Sequence, residues 1–226
     1  MFVRNHMQSD VITIPPTASV EDALYIMREN QIQQLPILDF DGRLLGMVTD
    51  RDLLLVSPSP TAALTIHEMM FALSNLKVSE IMPEETLTVD PGAPLEEAAR
   101  IMIDNKLDAL PVVDETGLIG LITERDVFRT FVEYLRTDQP AVEITILMPY
   151  VLGTIAYLCR LIAEAGGSIL NIGTFSGRGE DTFTVSVKIG DIPISRAREI
   201  VERAESEKGC QLLDMRETET GPSARE

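Results

Sequence analysis

Between residues 20 and 30 the apolar side chains fall at positions 20, 23, 24, 26 and 27, the spacing of one helical face. Acids occupy the first turn of that stretch, where the helix dipole favours them. The pattern returns at about 95–105. Ahead of each helix a short apolar and Thr-containing run predicts a strand (about 11–14 and 86–89), closed by Pro15-Pro16 or Pro91, because proline cannot donate to a ladder. After each helix come a buried run (Leu35–Leu38; Leu110–Val113), a turn with Asp-Gly or Thr-Gly, and a second strand (Leu44–Thr49; Leu118–Thr123). Another helix opens at Asp50 or Glu124, and Ser19 stands where the first helix needs an N-cap. Each block reads β-α-β-β-α.

The blocks are copies of one another. At an offset of 75, Met7 falls on Met82, Ile14 on Val89, Pro16 on Pro91, Ala23 on Ala98, Asn30 on Asn105, Leu35-Pro36 on Leu110-Pro111 and Gly42 on Gly117. One residue is then lost from the second copy. At an offset of 74, Gly46 meets Gly120, Thr49 meets Thr123, Arg51 meets Arg125 and Asp52 meets Asp126. Matches of this density in one frame identify an internal tandem repeat. Between the copies, Ser57–Thr65 reads as a loop and about 66–82 as helical. The segment containing His67, Met69, Met70, Phe71 and Leu73 is apolar, which predicts packing between the repeats.

The remaining third differs. After a linker at Thr137–Pro140, the pattern predicts a strand (Val142–Met148), a helix (Val151–Ala165) ended by Gly166-Gly167, and strands at Ser168–Phe175 and Thr182–Ile189 around Gly177 and Gly179. A helix (Ile194–Glu207) and a strand (Gln211–Met215) follow, giving β-α-β-β-α-β, the split βαβ of ferredoxin-like sandwiches. The fold class is α+β. Domain boundaries are expected at 1–65, 66–136 and 141–216, with a disordered tail at 217–226.

Composition narrows the function. Of 226 residues, 45% are apolar and 24% charged, ordinary values for a globular protein. The longest apolar runs have strand length, and the N-terminus MFVRNHMQSD has no signal-peptide core, so a cytoplasmic protein without membrane spans is expected. The net charge of −17 argues against a nucleic-acid partner. Cys159 and Cys210 have no ligand spacing and read as reduced, buried small hydrophobes. His6 and His67 lie too far apart in sequence to suggest a zinc site or a histidine-based dyad. The chain has no glycine-lysine phosphate loop and no nucleophile with a base, and Asp52 and Asp126 fall one per repeat. A non-catalytic protein is expected.

The chemistry-bearing motif is Thr-x-x-Asp at the strand-to-helix junction: Thr49 to Asp52 and Thr123 to Asp126. Two roles suit it. Threonine caps the helix and aspartate completes a capping box. Equally, the carboxylate can accept from the vicinal hydroxyls of a ribose while threonine donates or accepts, beside a helix N-terminus that favours phosphate. Arg51 and Arg125 add a cation in the same turn.

The runs IQQLPILDFDGRLLGMVTDRDLL and KLDALPVVDETGLIGLITERDVF, with the opening segments DVITIPP and ETLTVDP, resemble a tandem pair of CBS domains (a Bateman module) over about residues 3–136. The resemblance implies two β-α-β-β-α repeats packed as a pseudo-twofold pair. It implies a sensor that needs no cofactor and binds an adenosyl ligand (AMP, ADP, ATP or S-adenosylmethionine) in clefts between the repeats. By the same resemblance Thr49 with Asp52, and Thr123 with Asp126, hold ribose; Ile12 and Leu87 border the adenine; Met7 and Met82 stand at pocket edges. Ile32, Gln33 and Gln34, and Leu107, Asp108 and Ala109, line the pockets. His or Arg often stands there in members that bind charged phosphates, so here neutralisation falls to Arg51, Arg125, Arg4 or Lys77 and helix ends. A mononucleotide or nucleoside-like ligand is expected.

The stretch EITILMPYVLGTIAYLCRLIAEAGGSILNIGTF resembles an ACT domain, although Met148-Pro149-Tyr150-Val151 replaces the usual Asp-x-Pro-Gly turn and Gly153 falls inside the predicted helix. It implies an amino-acid site near a subunit interface using Pro149, Tyr150, Gly167, Ser168 and Asn171, or a dimerisation fold without ligand. The whole arrangement is similar to the acetoin-utilisation AcuB type of bacterial protein. A homodimer acting on an unidentified protein target is expected. The alternative is an interaction and dimerisation module whose clefts are vestigial.

Overall fold

The computed structural model describes residues 1–56, 66–83, 85–135, 139–177, 179 and 181–218. The loop Ser57–Thr65, residues 137 and 138 of the linker Thr137–Pro140, residues 219–226 and the side chains of His67, Met69 and Met70 lie outside the described residues. The chain forms two compact units, Met1–Phe128 and Arg129–Glu226.

In the first unit, helix α1 (Val20–Asn30), the antiparallel strands β1 (Gln34–Leu38) and β2 (Leu44–Thr49) and helix α2 (Asp50–Val56) form one repeat. Helix α3 (Ile66–Asn75) leads to the second: α4 (Leu95–Asn105), β3 (Ala109–Asp114), β4 (Gly117–Thr123) and α5 (Glu124–Tyr134), the last running into the second unit. Ser19 closes a reciprocal capping box, accepting from the Asp22 amide at 3.0 Å while its own amide donates to Asp22 Oδ2 at 3.2 Å. The opening strands expected at 11–14 and 86–89 shrink to single parallel bridges, Ile14 to Ile37 and Val89 to Val112. A parallel ladder would next require an N–H two residues on, and those positions are Pro16 and Pro91.

The two repeat cores are the same residue set displaced along the chain. One holds Ile14, Val20, Ala23, Met27, Leu35, Ile37 and Val48; the other holds Val89, Leu95, Ala98, Met102, Leu110, Val112 and Ile122. One position is exchanged. Val3 is buried in the second core, and its counterpart Val78 is buried in the first. Backbone bonds enforce the crossing: Val3 N–H donates to Ala93 O and Arg4 N–H to Pro91 O (both 3.0 Å), while Val78 N–H donates to Ala18 O at 2.9 Å. Leu73 and Leu76 pack on the first core, whereas Phe71 is exposed, so only part of the apolar α3 segment is used for packing.

In the second unit the strands β5 (Ala141–Pro149), β6 (Ser168–Ser176), β7 (Thr182–Gly190) and β8 (Gln211–Thr218) form an antiparallel sheet ordered β6-β7-β5-β8, with α6 (Thr154–Glu164) and α7 (Ile194–Lys208) completing β-α-β-β-α-β. Alternate residues of β5 and β7 (Ile144, Ile146, Met148; Val185, Val187, Ile189) meet Leu158 and Ile162 of α6 and Ile200 and Val201 of α7. Two expectations are corrected. Gly153 is the N-cap of α6 at φ +84°, a left-handed conformation natural to glycine, so the helix starts after it and not at Val151. Glu217 and Thr218 belong to β8, paired with Val142 and Ala141, and not to a tail. Cys210 is buried and burial pushes its thiol up, whereas Cys159 is only half-buried.

The crossing segments rest on strand glycines. A Cβ at Gly120 would lie 2.6 Å from Met7 Sδ and 3.0 Å from Gln8 O; one at Gly46 would lie 2.9 Å from Met82 Sδ. Gly120→Ala is expected to destabilise the fold by about 1–3 kcal/mol, as overpacking does. Adding Met7→Ala should recover part of that loss despite its own cost, measurable as non-additivity in urea unfolding.

Candidate functional site

Each strand-to-helix junction holds its pair tightly. Thr49 N–H and Oγ1–H both donate to Asp52 Oδ2, at 2.9 and 2.7 Å, and the Asp52 amide donates back to Thr49 Oγ1 at 3.2 Å. Thr123 and Asp126 repeat this at 3.0, 2.6 and 3.3 Å. Both pairs are capping boxes. Capping uses one carboxylate oxygen, and a carboxylate has about four lone-pair sites, so capping and ligand binding are compatible.

Two cavities lie between the repeats of the first unit. The larger, about 730 Å³, is lined by Thr49, Arg51 and Asp52 from the first repeat and by Leu87, Leu107 and Ala109 from the second. The other, about 570 Å³, reverses the contributions: Ile12 and Ile32 come from the first repeat and Thr123 and Arg125 from the second. Gln33, Gln34 and Asp108 border both. Each cavity therefore joins the opening segment and pre-strand residues of one repeat to the Thr-x-x-Asp junction of the other. A small buried cluster of Met47, Ala109 and Leu121, with Val11 against it, is shared between the repeats.

Several expected residues stand elsewhere. Met7 and Met82 line neither cavity; they pack on Gly120 and Gly46 and join the repeat cores. Asp126 is not on a cavity wall and is 4% exposed. Arg4 stacks over the Phe2 ring at 5.2 Å, and neither it nor Lys77 lines either of these two cavities. Sequence reasoning missed Gln8 and Gln31 on the smaller cavity and Glu85 and Lys106 on the larger. Gln31 and Lys106 are equivalent in the two copies and adopt left-handed φ values of +54° and +57° as C-caps. The repeat offset alone could have paired them.

The walls are acidic. Asp10, Asp108 and Glu124 oppose Arg125 in the smaller cavity, and Asp50, Asp52, Glu85 and Asp108 oppose Arg51 and Lys106 in the larger. Such walls disfavour several phosphates.

In the second unit the residues named for an amino-acid site do not meet within one chain. Pro149 pairs with Thr182 and Ser168 with Gly190, at opposite ends of β7, about 27 Å apart along an antiparallel strand. Gly167 lies against Ile162 and Ile189, and Asn171 Nδ2 donates to Tyr134 O at 2.9 Å. Tyr150 instead borders a mainly apolar cavity of about 780 Å³ with Val151, Leu152, Phe175 and Phe183.

Removing the cap hydroxyl should cost about 0.5–2 kcal/mol per site, so Thr49→Ala and Thr123→Ala are each expected to lower the urea midpoint by that equivalent. Equal losses at both would show that capping is independent of cavity shape.

The CBS domain profile matches residues 3–59 and 78–133, half of the chain. A CBS domain-containing protein of Dictyostelium discoideum is 33% identical over 141 residues, 62% of this chain and 97% of that protein. Inosine-5'-monophosphate dehydrogenase of Korarchaeum cryptofilum is 39% identical over 120 residues, 53% of this chain, and the chain spans only 22% of that enzyme. Among solved structures, an acetoin utilization protein (AcuB) of Vibrio cholerae is 30% identical with a TM-score of 0.50, covering 60% of this chain and 93% of its own. CBSX2 in complex with AMP is 30% identical with a TM-score of 0.51, covering 60% and 98%. The repeats thus occur both in proteins that they span almost entirely and as a minor part of a larger enzyme, and this chain belongs to the CBS domain family.

Proposed function

We propose that the protein is a non-catalytic sensor that binds an adenosyl ligand between its repeats and passes occupancy to a partner protein or to its C-terminal domain. The observation that carries this reading is the larger cavity: Thr49 and Asp52 of one repeat face Leu87 and Leu107 of the other across a space of about 730 Å³. A ribose on the polar wall places its base on the apolar wall, so one ligand touches both repeats and biases their arrangement. The AMP complex of CBSX2, a chain of similar fold, supports the ligand class. The acidic walls favour one phosphate or none, hence AMP, a nucleoside or cationic S-adenosylmethionine over ADP and ATP.

The C-terminal unit is proposed to be an ACT-like domain that pairs two chains, on the strength of its β-α-β-β-α-β order and antiparallel sheet. Within one chain Pro149 and Ser168 lie at opposite ends of β7, so a site built from both ends needs a second subunit, and pairing of two chains is the favoured role. The competing reading, an interaction module with unused clefts, draws on one observation: both Thr-Asp pairs are already satisfied as caps.

Ligand at about 100 times its dissociation constant stabilises the bound state by about 2.7 kcal/mol, roughly 5–10 °C in Tm. Titration with AMP, ADP, ATP and S-adenosylmethionine is expected to raise Tm for at least one, and Asp52→Ala/Asp126→Ala to abolish the rise. No shift with any of them at millimolar concentration would refute the sensor reading. A light-scattering mass of one chain would refute the dimer.

A further inference from the structure

The two Thr-x-x-Asp pairs have the same internal geometry and different surroundings. At the larger cavity both Thr49 and Asp52 stand on the wall. At the smaller cavity only Thr123 does, and Asp126 is buried. One partner that Asp126 has and Asp52 lacks is Gln8. Its Nε2 donates to Asp126 Oδ2 at 3.3 Å, the same oxygen that accepts from Thr123, and Gln8 itself lines the cavity.

The backbone holds Gln8 in this place. Its N–H donates to Leu121 O and its carbonyl accepts from Leu121 N–H, both at 2.9 Å, while the preceding Met7 sits on Gly120. Gln8 is nonetheless exposed, so its side chain can swing away without disturbing a core. At the repeat offset of 75 the equivalent residue is Pro83. Pro83 lines the larger cavity, has no amide hydrogen for a two-way bridge and no side-chain donor to offer Asp52. Among the described residues, only Thr49 donates a hydrogen bond to the Asp52 carboxylate.

We propose that Gln8 is a built-in stopper that makes the two clefts unequal: the Thr49–Asp52 cleft is open to a ribose, and the Thr123–Asp126 cleft admits one only after the Gln8 carboxamide is displaced. This rests on the adenosyl-ligand reading above. A ribose that reaches Asp126 must move the Gln8 side chain off the cavity wall and break its hydrogen bond to a charged group, which weakens the second site by roughly tenfold. The chain then responds over two concentration ranges, the first set by the open cleft and the second by displacement of the stopper.

Calorimetric titration of the full chain with AMP tests this. Wild type is expected to show one tighter site per chain and a second at least roughly tenfold weaker. Gln8→Ala should tighten the weaker site by about that factor and leave the tighter one in place. Gln8→Asn, one methylene too short to reach Asp126, should behave like Gln8→Ala and guards against a folding artefact. Asp52→Ala should remove the tighter site, and Gln8→Ala/Asp52→Ala should retain one site. Two equivalent sites in wild type would overturn the stopper, and so would unchanged affinities in both Gln8 variants. Absence of binding in wild type and in every variant would overturn the adenosyl reading itself, a distinct outcome.

Discussion

Neither repeat closes its core with its own residues. Val3, at the start of the first copy, is fully buried in the second, and Val78, at the start of the second, is fully buried in the first. Each such side chain contributes about 1.5–3 kcal/mol when buried, and the flanking backbone bonds to Ala93, Pro91 and Ala18 add to it. The crossing makes the two repeats one folding unit. It also sets where a ligand can go. A segment that leaves one repeat to pack on the other must pass along the seam between them, and both cavities lie there, with Gln8 at one and Pro83 at the other.

The seam explains features that look unrelated in the chain. Gly46 and Gly120 occur in strands otherwise rich in large apolar residues because Met82 and Met7 cross at those points. The same approach carries Gln8 past Leu121 and up to Asp126. For the second core and the smaller cavity, packing and access are therefore set by one short run of residues, Val3 to Gln8. Substitutions in that run will change stability and ligand access together unless, as at Gln8, the side chain lies outside the core.

Much of the local structure is legible in the sequence because each element carries its own period. The helices at 20–30 and 95–105 match the apolar spacing residue for residue, and the strand pairs follow from short apolar runs and turn glycines. The opening strands fail because the local run is strand-like while the ladder they would join ends at Pro16 and Pro91. The exchange of Val3 and Val78 leaves no mark in the pattern, since an apolar residue reads the same whichever core takes it. Met7 and Met82 are placed at cavity edges by resemblance, but their direction depends on that exchange. The hydrogen bond between Asp126 and Gln8 joins residues 118 apart in sequence, so no local pattern signals it. The residues proposed for an amino-acid site are adjacent to plausible turns, yet strand register puts Pro149 and Ser168 at opposite ends of β7.

The dual use of the Thr-x-x-Asp pair is a matter of how many lone pairs a carboxylate has. Asp52 accepts the Thr49 amide and hydroxyl on one oxygen and keeps the other for a ligand, so a ribose can add to the cap without replacing it. The cap fixes the aspartate rotamer before any ligand arrives, which reduces the ordering that binding must impose. On the proposed reading, the capping role and the binding role are the same geometry at two levels of occupancy. For Asp126 a third donor, Gln8, has already reached the capped oxygen, and the nearly complete burial of the side chain leaves a ribose little approach. What distinguishes the clefts is therefore the neighbouring chain that crosses each motif and the donor it carries there.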